Sequence, residues 1–301
     1  CLRLNRLRRR WDFLPSFIPR RFAATLRQRS NATLYQKREL TLLDSSGKRH
    51  DGRQFGDIRP IFLKTGVVSQ AKGSAYVEMG NTKVVCSVYG PREIARRKDF
   101  TYKGQINCEF RFAQYSCQIR RQHLNDSEAL HFSQLLEEAL APVVCLHKFP
   151  KSTVDVFVYV LENDGGALAS AITTAGLALA DAGIDMYDVV IGCSLRQDGS
   201  TCLLDPTYRE ETAPVGAENI DRGFGRMTLA FMPALQQVAA LVQDGDLDAA
   251  TVVSDLRALM NACHEIYPLV QDVLIKDLEE KLEGDMKKMV VSKKEKDGII
   301  K

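Results

Sequence analysis

Between Ser152 and Leu161 the chain reads Val154-Asp155-Val156-Phe157-Val158-Tyr159-Val160, β-branched residues alternating with larger ones, which predicts a buried strand. Asn163-Asp164-Gly165-Gly166 follows and supplies the usual side chains of a turn. From Ala167 to Ala180 there is no charged residue, so the helix expected there is buried on most sides. Strand, glycine turn and helix start together leave backbone amides and the positive helix end facing one place, a shape that suits an anion. The same shape is common in plain strand-on-helix packing. The side chains at the turn must decide, and here they are Ala167 and Leu168.

The rest of the pattern is less even. Alternation in Ala75-Tyr76-Val77-Glu78-Met79 and in Val84-Val85-Cys86-Ser87-Val88 predicts a hairpin over Val67–Glu78 and Thr82–Tyr89, turning at Met79-Gly80-Asn81 and closed by Gly90-Pro91-Arg92. Ile106–Ala113 predicts another strand, and Tyr115–Asn125 a loop. Asn125-x-x-Glu128 resembles a capping box, after which Leu130, Leu135, Leu136, Ala139, Leu140 and Val143 keep helical spacing. Further strands are expected over Val189–Leu195, Thr201–Leu204, Met227–Met232 and Gln237–Val242, with Ala213–Arg226 as a loop. Asp246 to about Leu282 reads as a helix that Pro268 should kink or interrupt. This order predicts a mixed α/β (α+β) class with two large buried helices and a C-terminal helix.

Composition changes the picture at the ends. Residues 1–38 hold eleven of the 41 Lys and Arg and one of the 38 acids, Asp12, so the body keeps 30 bases against 37 acids, about −7. A body of that sign does not grip nucleic acid over its whole surface, and any contact must come from a local basic patch. The arginine-rich start has the composition of a mitochondrial transit peptide, but reads more simply as a disordered extension. Residues 1–44 are therefore taken as an extension, 45–282 as the folded domain, and 283–301 as a Lys-rich disordered tail. No apolar stretch is long enough to span a membrane. The eight cysteines form no Cys-x-x-Cys pair and read as reduced core residues, which points to a reducing, intracellular compartment.

Asp51-Gly52-Arg53, Arg59-Pro60, Gly73-Ser74-Ala75-Tyr76, Gly90-Pro91-Arg92, Asp164-Gly165-Gly166, Ala180-Asp181-Ala182-Gly183 and Leu204-Asp205, in this order, resemble the RNase PH family over roughly residues 45–280. The likeness is to the ring subunits of the RNA exosome within that family. It implies an RNase PH fold of ribosomal-protein-like β-α-β-β repeats, assembled as a hetero-hexameric ring around a channel for single-stranded RNA. Active members degrade RNA from its 3′ end with inorganic phosphate as the nucleophile. They hold that phosphate with a Thr-Arg pair at the helix start, where this chain has Ala167 and Leu168, and with an Arg that falls here at Glu128. Losing a bidentate charged donor costs on the order of 2–4 kcal/mol of transition-state stabilisation. Active members also carry two Asp, six positions apart, which fall here at Asp205 and Glu211. Taken alone, Asp205 reads as a strand-end residue capping the turn with Pro206.

The resemblance with these departures implies a non-catalytic ring subunit. No catalytic residue, cofactor or metal is expected. The implied partners are paralogous RNase PH-like subunits, RNA-binding cap subunits and single-stranded RNA in the channel, with no membrane; the implied location is the nucleus, including the nucleolus, and the cytoplasm. Arg92, Arg96, Arg97, Arg111, Arg120 and Arg121 are the expected RNA contacts, with Arg120-Arg121 foremost; each also reads as ordinary solvated loop charge. Two alternatives stand beside this reading: an active phosphate-dependent exoribonuclease, and a free RNA-binding protein.

Overall fold

The first two strands are β1 (Ile61–Thr65) and β2 (Gly73–Met79), and β3 (Thr82–Glu93) follows after the turn at Gly80-Asn81. The computed structural model describes residues 42–43, 48–94, 102–122, 126–199, 201–214 and 223–298, with side chains to residue 283. The chain divides after Leu40, and the arginine-rich extension lies outside the described residues. Next come β4 (Gln105–Phe112), α1 (Ser127–Leu140), β5 (Ser152–Glu162) and α2 (Ala167–Asp181). After them run β6 (Ile191–Asp198), β7 (Thr201–Leu204), the short α3 (Tyr208–Thr212), β8 (Phe224–Met232), β9 (Gln237–Asp246) and α4 (Ala249–Gly298).

Two sheets result. The first has five strands in the order β1-β2-β3-β5-β4 and the second four in the order β7-β6-β8-β9. Among the described strands only β4 and β5 pair in parallel, and α1 lies on the crossover between them. The alternation read from the sequence selects one buried face: Val84, Cys86 and Val88 oppose Val160, Val158 and Val156, and all six are buried.

Helix α2 packs between the sheets, against β2 and β3 on one side and β6 on the other. Every residue from Ala167 to Leu179 is buried. Its small residues admit close backbone approach: a Cβ on Gly192 of β6 would stand 2.3 Å from Ala169 O, and one on Gly73 of β2 only 2.2 Å from Ala182 N. The hydroxyls on this helix are satisfied internally. Thr173 Oγ1 accepts from Gly192 N–H at 2.9 Å, and Thr174 Oγ1 donates to Ser170 O. Helix α4 closes the core with Leu259, Cys263, Ile266 and Val270, a stripe at helical spacing.

Several boundaries differ from expectation. β1 was not foreseen, because Ile61-Phe62-Leu63-Lys64-Thr65 buries only Leu63 and Thr65 and shows no apolar alternation. β3 continues through Gly90-Pro91 to Glu93, with a register shift between Tyr89 and Arg92 that takes the proline out of the ladder. α1 is capped by Asp126, without a side-chain bond; Asn125 lies outside the described residues, and Glu128 sits one place too early for the expected box. β8 takes in Phe224–Arg226, expected as loop, and β9 takes in Asp246, expected as helix. Pro268 does not interrupt α4, and the backbone of that helix runs to Gly298, through most of the tail expected to be disordered. The seven cysteines of the described part are free, and burial pushes the thiols of Cys86, Cys193 and Cys263 upward.

Candidate functional site

The turn before α2 is held from behind by one arginine. Arg59 Nη1 donates to Asp164 O at 2.8 Å and Nη2 to Gly165 O at 3.1 Å, while Thr82 Oγ1 donates to Gly165 O at 2.8 Å. The same guanidinium binds both oxygens of Asp205, at 2.8 Å from Nε and 2.6 Å from Nη2, and the Arg59 backbone N–H adds a third bond at 3.0 Å. Burial opposes the charge of Arg59, but Asp205 overrides it and holds the guanidinium above its ordinary value. Arg49 completes the knot: it grips Glu210 bidentately at 2.9 and 2.8 Å and donates to Leu204 O and Asp205 O. Asp205 is therefore not the simple turn cap expected of it. Its carboxylate anchors the Arg59-Pro60 segment to the end of β7, and its φ of 48° belongs to the left-handed region.

Glycine is required at the turn itself. Gly165 has φ +90°, and a Cβ there would stand 2.4 Å from Pro206 O. Gly166, with φ +64°, caps α2, and a Cβ on it would meet Arg59 Nη2, Ser194 Oγ and Asp205 Oδ1 at 3.0, 3.2 and 3.4 Å. With the carbonyls of the turn drawn back to Arg59, the Gly166 N–H faces forward. Its acceptor is Glu211 Oε1, at 2.9 Å, brought in by α3. Burial pushes the Glu211 carboxyl upward, against the opposing pull of the Gly166 N–H, Arg226 and Arg59.

In front of this amide is a cavity of about 260 Å³. Ala167, Leu168, Phe112, Phe132 and Val242 give it an apolar wall, and Glu128, Glu211, Asp244 and Arg226 line its polar side. Ser194 also lines it, is 6% exposed, and its Oγ has no hydrogen-bond partner among the described residues. At the rim, Arg121 pairs with Glu128 at 2.9 Å and Asp126 at 3.3 Å, donates to Cys117 Sγ, and lies 4.0 Å above the Phe112 ring centre. Among the described residues no group of three or more His, Cys, Asp or Glu is placed to hold a metal ion.

Residues 57–185 match the RNase_PH family, described as 3′ exoribonuclease family, domain 1. The chain is 37% identical over 235 residues to exosome complex component MTR3 of Homo sapiens, covering 73% of this chain and 83% of that protein. This chain belongs to the RNase PH family. A further relative is exosome complex component RRP41-like of Arabidopsis thaliana, 36% identical over 231 residues, with 77% of this chain and 86% of the relative covered. Two solved structures share the fold. Rice (Oryza sativa) Rrp46 superposes with a TM-score of 0.62 at 23% identity, covering 75% of this chain and 100% of the other. A chain of the Archaeoglobus fulgidus exosome with RNA bound to the active site gives 0.63 at 21% identity, covering 74% and 92%.

Asp205 and Glu211 both come up to Gly166, but only Glu211 and Glu128 line the cavity, and Asp205 stays buried behind the turn. The described arginines among those read as RNA contacts lie on β3, on β4 and in the segment that follows β4. Arg92 is exposed at the end of β3 with its guanidinium 5.0 Å from the Tyr89 ring centre, and Arg111 is exposed on β4 and paired with Glu109. Arg120 is exposed with one long bond of 3.4 Å to Gln114, whereas its neighbour Arg121 is engaged at the rim. Arg96 and Arg97 lie outside the described residues. Arg49, Glu210, Ser194, Arg226 and Asp244 went unread in the sequence. Only Glu210 carried a signal, the Thr207-x-x-Glu210 capping box, which the structure forms.

Proposed function

We propose that this chain is a non-catalytic subunit of an RNA exosome ring, supporting 3′-to-5′ RNA processing and degradation by completing the ring and its RNA channel. The observation that carries the reading is the state of the anion cradle. The amide that opens α2 is already satisfied by the Glu211 carboxylate at 2.9 Å, and the two side chains behind it, Ala167 and Leu168, offer no donor. A phosphate entering there would meet Glu128, Glu211 and Asp244, against Arg226 as the basic residue of the lining. Asp205 is committed to Arg59.

The names of the curated relatives, exosome components in human and Arabidopsis, support the assembly half of the proposal. On this reading the partners are paralogous RNase PH-type chains in a hetero-hexameric ring, with RNA-binding cap subunits and single-stranded RNA, and the complex works in the nucleus, nucleolus and cytoplasm. Arg92, Arg111 and Arg120 are the exposed contacts proposed for RNA backbone, with Arg96 and Arg97 beside them in sequence. Arg121 completes the set as its half-buried member, with Glu128 and Asp126 beside its guanidinium.

The test has two arms. Purified full-length chain is incubated with single-stranded RNA and inorganic phosphate, and release of nucleoside diphosphates is followed; none is expected. Untagged proteins copurifying with the tagged chain are then identified, and RNase PH-type chains in stoichiometric amount are expected. Phosphate-dependent shortening of RNA by the chain alone overturns the first half, and a monomer binding RNA with steep salt dependence and no RNase PH-type partner overturns the second.

A further inference from the structure

The cavity before α2 has the wrong polarity for an oxyanion, yet it is built to hold something polar. Its lining includes Ser194 Oγ, buried and without a partner among the described residues, an arrangement that is costly unless a ligand or ordered water satisfies it. At the positive helix end Glu211 takes the Gly166 N–H, and its carboxylate keeps acceptor capacity beyond that one bond. Asp244 of β9 adds a second carboxylate, and Glu128 a third, shared with Arg121. Arg226 and the exposed imidazole of His131 are the other titratable groups of the lining. Counting Arg121 and Asp126 at the rim, four acids face two arginines.

The apolar wall has the complementary use. Phe112, Phe132, Leu168 and Val242 can pack an aliphatic stem, and phenyl faces attract a planar cation. The rim already displays this recognition in miniature, since the Arg121 guanidinium is held between the Glu128 carboxylate and the Phe112 ring.

We propose that this cavity binds an alkylguanidinium group, the chemistry of an arginine side chain, with the head between Glu211, Asp244 and Ser194 Oγ and the stem along Phe132 and Leu168. The inference rests on the reading of the site as non-catalytic. It inverts the sign of the ligand that active relatives take.

The experiment uses the full chain with methyl labels on Leu168, Leu135 and Val242, followed by NMR during titration. The probes are n-butylguanidinium, a blocked Gly-Arg-Gly peptide, n-butanol as the uncharged control, and inorganic phosphate. Saturable shifts with butylguanidinium or the peptide, and none with phosphate or butanol, are expected; preference for the peptide identifies a neighbouring protein as the source, and equal binding a free small molecule. Asp244→Asn should weaken binding about tenfold, as loss of a charge-assisted bond does. Ser194→Ala should weaken it by less, and Arg226→Gln should strengthen it. The last variant keeps the test decisive even if another fails to fold, because a merely structural role gives no tightening. No saturation with either guanidinium probe, phosphate shifting the same methyls, or unchanged binding in both Asp244→Asn and Arg226→Gln overturns the proposal. Phosphorolysis by the chain would instead sink the non-catalytic reading on which it rests, so the two failures are distinguishable.

Discussion

The knot behind the turn and the rim in front of it are made of the same groups, arginines against carboxylates. In the knot, Arg59 and Asp205 have side chains 4% and 2% exposed, and each oxygen of Asp205 has a donor from Arg59. At the rim, Arg121 and Glu128 are 19% and 49% exposed. A buried pair must have its hydrogen bonds filled by the fold, so nothing remains to offer a ligand. A half-exposed pair contributes little to stability but stays available. The lesson concerns the RNase PH motifs: Arg59 and Asp205 belong to the architecture here, and chemistry must be sought among the groups lining the cavity.

The comparison breaks first at its strongest point. Arg59→Ala leaves the buried Asp205 without its principal partner and takes one donor each from the carbonyls of Asp164 and Gly165, which keep the Tyr208 N–H and Thr82 Oγ1. A loss of about 3–5 kcal/mol is expected, read as the shift of the urea unfolding midpoint. A loss below about 1 kcal/mol would place the knot in the same class as the rim.

Gly165→Ala comes next. The new Cβ must sit at φ +90° against the Pro206 carbonyl, and roughly 2–3 kcal/mol should be lost by the same measurement. Because the substitution removes no charge, it separates the geometry of the turn from the electrostatics of the knot.

Arg121→Ala should cost only about 0.5–1 kcal/mol, since its partners are largely solvated. The accompanying sharpening is electrostatic: with Arg121 gone the cavity is more acidic, and butylguanidinium binding should tighten or hold, never weaken severalfold.

The smallest effect is a pH dependence. Burial raises the Glu211 carboxyl above its ordinary value in the folded chain, so the folded state takes up its proton more readily than the unfolded state. The stability difference between wild type and Glu211→Gln should then favour wild type most at acidic pH, below the ordinary glutamate value, and decline as pH rises through the folded pKa. Denaturation of both proteins across mildly acidic to neutral pH checks this. The reverse trend would show that the Gly166 N–H, Arg226 and Arg59 outweigh burial.

Much of the fold was legible because local pattern and tertiary role agree. The alternating valines of β5 faced inward, the uncharged helix was buried, and the glycines of the turn took up positive φ, since each depends on short-range periodicity or backbone sterics. Edge elements were poorly read: β1 buries too little to write a pattern, and α3 is one short turn.

Sequence by itself determined that Ala167 and Leu168 stand at the helix start, that glycine occupies both left-handed positions of the turn, and that the body is acidic while the first residues are basic. Only the tertiary structure decided where the carboxylates went. Arg49 and Glu210 are 161 residues apart, and Arg59 and Asp205 146 apart, yet each pair shares one buried contact. Glu211 met the Gly166 amide because α3 folds back across the turn. Charge carries no periodic signature, and the same carboxylate becomes a buried anchor, an internal cap or an exposed recognition group according to what the fold packs around it.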